Sequence, residues 1–131
     1  MEKVLDASAL LAYLEKEPGW EKVKETFIES AKTEKLMLMS VVNWGEVFYI
    51  LIRDYGLEEA RKIIFQIDNF PIELIPADRE LAMQAAILKS TKKLGYMDSF
   101  AAALALQKKA NLLTKDQECK SLSDTLDIVW I

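Results

Sequence analysis

The sequence contains no histidine and one cysteine, Cys119. Without histidine, neither a Ser-His-Asp triad nor a two-histidine ribonuclease site can form. With one cysteine, there is no internal disulfide and none of the usual cysteine and histidine zinc sites. Any catalysis must therefore rely on carboxylates, lysines, hydroxyls or a metal ion. Long apolar runs are missing too. The longest uncharged stretch, Leu36 to Gly45, has ten residues, against the ~20 that cross a bilayer. No basic segment leading into an apolar one opens the sequence, so the expectation is a cytoplasmic protein that neither spans a membrane nor is secreted. Internal repeats, low-complexity tracts and linkers are also lacking.

What is present fits ordinary globular composition: 51% hydrophobic and 29% charged residues in a chain of 131. One domain over residues 1–131 is expected, because a chain of this size buries about two-thirds of its unfolded surface around one core. The net charge of −4 argues only weakly against nucleic acid, since bound cations and local lysines can reverse the sign of a site.

Apolar periodicity gives an alternating order of elements. Lys3 to Leu5 reads as a strand ending at Asp6, followed by a short helix over Ser8 to Leu14. Trp20, Val23, Phe27, Ile28 and Ala31 share a helical face after the Pro18-Gly19 turn, and Leu36 to Met39 form a second strand. Leu57, Ala60, Ile63, Ile64 and Ile67 mark another helix, and Ile72 to Ile75 a third strand. Asp78 caps a helix carrying Leu81, Ala82, Ala85, Ala86 and Leu88, for which Gly95 offers a left-handed stop. Asp98 opens a helix over Ser99 to Ala110. Leu112 to Thr114 lead to Asp116, and Ile128 to Ile131 form a last strand. Such alternation predicts a parallel sheet covered by helices on both faces.

Val47 to Ile52 is an exception: six apolar residues, rich in aromatic and β-branched types, that fit a strand or a helix equally well. As a helix it is apolar nearly all round and needs burial on more than one side, which a subunit interface would supply.

Asp6 and Asp116 each follow a strand directly, and ligands of open parallel sheets bind at the C-terminal strand edge, where the strand order reverses. Either residue taken alone is explained equally well without a ligand, Asp6 as a helix cap and Asp116 in a solvated turn with Lys115.

A wider pattern joins them. Val4-Leu5-Asp6-Ala7-Ser8-Ala9-Leu10-Leu11-Ala12, Ser40-Val41-Val42-Asn43-Trp44-Gly45-Glu46-Val47, Gly95-Tyr96-Met97-Asp98-Ser99-Phe100-Ala101-Ala102-Ala103 and Leu113-Thr114-Lys115-Asp116-Gln117-Glu118 resemble, in order and spacing, the motifs of PIN-domain nucleases, including VapC-type toxins. Together they span nearly the whole chain. The resemblance implies a three-layer α/β/α sandwich with a five-stranded parallel sheet, and a helix for Val47 to Ile52. It also implies that Asp6, Glu46, Asp98 and Asp116 converge on magnesium or manganese to hydrolyse RNA, with an antitoxin protein as a partner.

Those acids suit hard divalent cations, which prefer oxygen ligands. Asp6, Asp98 and Asp116 are the expected direct ligands, and Glu46 reaches a second ion or orients the water. Ser8, two after the first aspartate, is a supporting candidate or a plain cap; Glu118 is a supporting acid or an inert surface charge. Lys89, Lys92, Lys93, Lys115 and Lys120 could meet an RNA backbone, although at least half are expected to be a solvated face. Trp20, Trp44 and Trp130 are expected in core or interface packing rather than on bases. The family pattern often has Arg or Gly at the position of Lys115 and an aromatic at that of Cys119.

The apolar helix predicts a homodimer or higher homo-oligomer. One rival is a PIN fold without useful catalysis, serving RNA binding or assembly, and the presence of all four acids counts against it. An aspartate-nucleophile phosphatase would need a second acid two residues after Asp6, where Ser8 stands. A phosphorelay receiver would need adjacent acids after the first strand, and none are there.

Overall fold

A computed structural model describes residues 2–131. Strands and helices alternate as the periodicities predict: β1 (Lys3–Leu5), α1 (Ala7–Glu15), α2 (Trp20–Thr33), β2 (Met37–Ser40), α3 (Val41–Tyr55), α4 (Leu57–Gln66), β3 (Ile72–Ile75), α5 (Arg79–Thr91), α6 (Tyr96–Lys108), β4 (Asn111–Thr114) and β5 (Ile128–Trp130). Short 3-10 helices cover Ile67–Asn69 and Gln117–Leu122. The five strands form one parallel sheet in the order β3-β2-β1-β4-β5. From β1 the chain moves outward to β2 and β3, then returns to lay β4 on the other side of β1. The strand order therefore reverses between β1 and β4, where Val4 pairs with Leu112 and Leu5 with Leu113.

Period-two alternation sends neighbouring side chains to opposite faces. Val4, Leu38 and Leu112 pack against α5 and α6, while Leu5, Met37, Met39 and Leu113 pack under α1 to α4. That is the expected α/β/α sandwich. On α6 the residues Ala101, Ala102, Ala103 and Ala105 are buried, and their small size lets the helix lie close to the sheet. Its first turn is thereby brought to the C-terminal edge of β1 and β4. Side-chain caps start three of the α-helices: Asp6 accepts from Ala9 N (2.9 Å), Ser40 from Val42 N (3.2 Å) and Asp78 from Leu81 N (2.9 Å).

Val47 to Ile52 lies inside α3 and is helical. Val47 and Leu51 are fully buried with Asn43, whereas Tyr49 is 62% exposed. Strand propensity gave way here to burial of one stripe against the core.

Three expectations need correction. Gly95 does not end α5 in the left-handed conformation: its φ of −66° and ψ of 157° are extended, and it N-caps α6. Helix α5 stops at Thr91 with Lys92 as its extended cap, after the hydroxyls of Ser90 and Thr91 turn back onto Ile87 O (2.7 and 3.2 Å). Asp98 does not open its helix, which starts at Tyr96 and holds Asp98 inside the first turn. Among the expected apolar faces, Leu57 on α4 and Ala86 on α5 are exposed, and on α2 the buried face is Val23, Thr26, Phe27 and Ser30, while Ile28 and Ala31 are exposed. Two hydroxyls can be buried on α2 because Thr26 Oγ1 donates to Lys22 O (2.9 Å) and Ser30 Oγ to Lys35 O.

Candidate metal centre

Asp6 leaves the end of β1 at the reversal point and is 1% exposed. Its Oδ1 accepts from Ser8 Oγ (2.8 Å) and Ala9 N (2.9 Å), and its Oδ2 from Thr114 Oγ1. The two hydroxyls are tied in turn to the end of β4: Lys115 N donates to Ser8 Oγ (3.0 Å), Asp116 N to Thr114 Oγ1 (3.0 Å), and the hydroxyls lie 3.2 Å apart. Burial pushes the Asp6 carboxyl up to about 6, against the lowering effect of those hydrogen bonds, and the Asp116 charge adds to the rise. Ser8 thus acts on both strands and is more than a local cap.

The other acids are less well tied down. Ligand oxygens of Asp98, Asp116 and Glu118 all lie within 4.8 Å of one another. Asp116 caps the 3-10 helix after β4, accepting from Glu118 N (3.0 Å), and that turn carries Glu118 into the group. Asp98 is brought by α6. Burial is the largest cause that pushes its carboxyl up to about 8, followed by direct contact with Asp116 and then by the charges of Asp6 and Glu46. Glu46, on α3, is raised by burial and by Asp116, with Asn43 opposing, and its Oε1 is buried without a hydrogen-bond partner. Asp6 and Glu46 therefore lie within electrostatic reach of the tight group without being part of it, while Glu118, expected only as a supporting acid, belongs to it.

Such crowding suits a hard cation. The donors are all carboxylate oxygens, they repel one another without a counter-charge, and no lysine or arginine is bonded to Asp6, Glu46, Asp98 or Asp116 among the described residues. Cys119 is buried behind Thr114 (3.7 Å), and burial pushes its thiol up to about 12, which removes it as a nucleophile.

Of the five candidate lysines, two are already engaged. Lys92 bonds Asp124 (3.0 Å) and Lys115 bonds Glu17 (3.4 Å), whereas Lys89, Lys93 and Lys120 are exposed. All three tryptophans are half-buried: Trp44 packs on Phe48 with ring centroids 5.9 Å apart, and Lys16 and Lys24 lie over Trp20. Sequence reasoning missed Thr114 and Asn43 as parts of the site. Each carried a signal: Thr114 is a hydroxyl ending a buried strand, and Asn43 a polar residue one turn before Glu46 in an apolar helix.

The family model described as PIN domain matches residues 3–124. Among solved structures, a chain of the DNA-bound VapBC from Salmonella typhimurium is similar at 18% identity, covering 99% of this chain and 98% of that one, with a TM-score of 0.78. VapBC2 from Rickettsia felis, bound to a promoter DNA fragment, gives 16% identity, coverage of 100% and 99%, and a TM-score of 0.79. The Mycobacterium tuberculosis toxin VapC20, which cleaves the sarcin-ricin loop, gives 15% identity, coverage of 95% and 96%, and a TM-score of 0.75. A comparison with curated protein sequences finds no match. No helix among the described residues is long and apolar enough to cross a membrane.

Proposed function

The chain belongs to the PIN domain family, and from that premise we propose that it is a metal-dependent endoribonuclease acting in the cytoplasm as the toxin of a toxin-antitoxin pair. Residues 1–131 serve as one nuclease domain, with an RNA substrate and an antitoxin protein as partner. The observation that carries the reading is the meeting of Asp98, Asp116 and Glu118 within 4.8 Å beside Asp6 and Glu46, at the reversal point where open parallel sheets bind ligands.

In this reading Asp98, Asp116 and Glu118 would hold magnesium or manganese, with the charge of Asp6 beside them. A divalent ion held by these residues would supply polarisation of the scissile phosphodiester and activation of water, the part that histidine plays in other ribonucleases. Asp6 is held in one orientation by Ser8, Thr114 and Ala9 N. Glu46, on α3, would orient the attacking water. The exposed Lys89, Lys93 and Lys120 offer contacts to the RNA backbone. Tyr49, an aromatic residue 62% exposed on α3, supports a homodimer or higher homo-oligomer through that helix.

The test is incubation of the protein with mixed RNAs and magnesium or manganese, with and without chelator. Cleavage that requires the ion and is lost in Asp98→Asn is the expected result. RNA binding without cleavage under every metal condition would favour an inactive binding or assembly module instead.

A further inference from the structure

We propose that Asn43 is a positioning residue of the metal centre, its amide pinning the first turn of α6 to α3 so that Asp98 meets the other acids at a fixed spacing. This rests on reading the acids as a cation site. Asn43 is fully buried, and its Nδ2 donates to Met97 O at 2.9 Å across 54 residues of sequence. That carbonyl belongs to the peptide unit immediately preceding Asp98. Gly95, the N-cap of α6, makes no side-chain capping bond, and the one side-chain bond within this turn, Ser99 Oγ to Gly95 O (3.0 Å), stays inside the helix, so only contacts from other elements can fix the turn relative to α3. Glu46 follows Asn43 by one turn of α3, on the same side of the helix. One amide thus couples the two helices that carry Asp98 and Glu46.

An apolar residue would sit at position 43 at lower cost. Asn43 Oδ1 is buried without a hydrogen-bond partner, a penalty that Leu, of nearly the same size and shape, would avoid. A buried polar group kept despite that penalty makes sense if it fixes register between elements. A role in holding the core together makes a different claim: it predicts that Asn43→Leu changes stability and leaves the acids where they were.

The experiment measures manganese affinity by calorimetry, together with the metal-free melting temperature, for wild type, Asn43→Leu and Ile64→Ala. Ile64 is buried on α4, which supplies none of the acids, and its truncation destabilises the core independently of the site. Asn43→Leu is expected to weaken manganese binding about tenfold, the scale on which residues supporting metal ligands act, with a melting temperature close to wild type. Ile64→Ala should melt lower and bind manganese as wild type does. Unchanged affinity in Asn43→Leu, or an equal loss in Ile64→Ala, overturns the proposal. Wild type that binds no manganese overturns the underlying reading along with it.

A further reading needs no variant and therefore stands even if Asn43→Leu does not fold. The Asn43 side-chain amide signal in nuclear magnetic resonance spectra of wild type should be protected from solvent exchange and should shift when magnesium is added. A signal that magnesium leaves in place counts against the assignment.

Discussion

Asp6 and Asp98 face each other across the reversal point of the sheet, and burial raises both carboxyls, yet their surroundings are opposite. Asp6 is enclosed and receives two hydroxyls and a backbone N–H, so fixed dipoles offset part of the cost of burying it. Asp98 lies against Asp116 within reach of Asp6 and Glu46, and among the described residues no backbone or hydroxyl donor is bonded to it. The first region is complete in its hydrogen bonds. The second is frustrated, and a cation would relieve it. On this basis Asp6 is the acid that the protein itself holds in one orientation, and Asp98 the one that most needs a counter-charge.

Breaking the frustrated side should have the largest effect. Asp98→Asn keeps size and shape but removes a charge, and metal-dependent RNA cleavage should fall about a hundredfold or more, as for loss of one transition-state-stabilising group. Above pH ~8, where Asp98 is ionised, metal-free protein should melt at or slightly above the wild-type temperature, because repulsion with Asp116 is relieved. Were Asp98 only a cap, Asn would serve as well; the cap here is Gly95, so wild-type cleavage by this variant would sink the assignment.

Breaking the completed side should instead cost stability. Thr114 is fully buried, donates to Asp6 and accepts from Asp116 N. Thr114→Val keeps the shape and leaves both groups short of a partner, at about 2 kcal/mol, the usual scale for stranding buried polar groups. Denaturant unfolding measures it, and a midpoint equal to that of wild type would show that the network around Asp6 does not hold the sheet edge.

Much of this contrast was legible in the sequence, and the rest was not for physical reasons. The acids follow strand ends and helix starts, so Asp6 and Asp116 could be placed by periodicity alone, and the strands fell within a residue of where apolar runs predict them. The helical state of Val47 to Ile52 was not decidable locally, because packing against the core outweighs propensity there. Gly95 misled because the same residue type serves left-handed stops and extended N-caps, and only the chain's path after Thr91 distinguishes them. Thr114 and Asn43 stand out locally as polar residues in apolar elements, but the partners they reach lie 108 and 54 residues away, and those no local pattern identifies. The same is true of the group formed by Asp98, Asp116 and Glu118.

Acidity sharpens the comparison further. Both carboxyls hold their protons more tightly in the folded chain than their ordinary value of 3.8 allows, Asp6 up to about 6 and Asp98 up to about 8. Their contribution to stability is therefore full below pH ~4 and is lost as pH rises, through about 6 for the first and about 8 for the second. Chelator-treated protein should melt a few degrees higher at pH 5 than at pH 8, and manganese should raise the melting temperature more at pH 8, where the carboxylates are ionised. A melting temperature independent of pH across that window, with no response to manganese, would remove the electrostatic basis of the site.

The smallest effect is expected at Ser8, which distinguishes parts within the completed region. Ser8 Oγ donates to Asp6 Oδ1 (2.8 Å) and accepts from Lys115 N (3.0 Å), so on paper it does as much as Thr114. The difference is access: Ser8 is half-buried whereas Thr114 is fully buried. In Ser8→Ala a water can take the place of the hydroxyl, because two polar partners remain to receive it. Asp6 keeps its bonds from Ala9 N and Thr114 Oγ1. The loss should stay near 0.5–1 kcal/mol, the net worth of an ordinary hydrogen bond rather than of a stranded group, with cleavage reduced by less than about tenfold. Denaturant unfolding and RNA cleavage on the same preparation measure both. A stability loss as large as that of Thr114→Val would mean that water does not reach the site, and that the enclosed region extends further toward the surface than the exposure of Ser8 indicates.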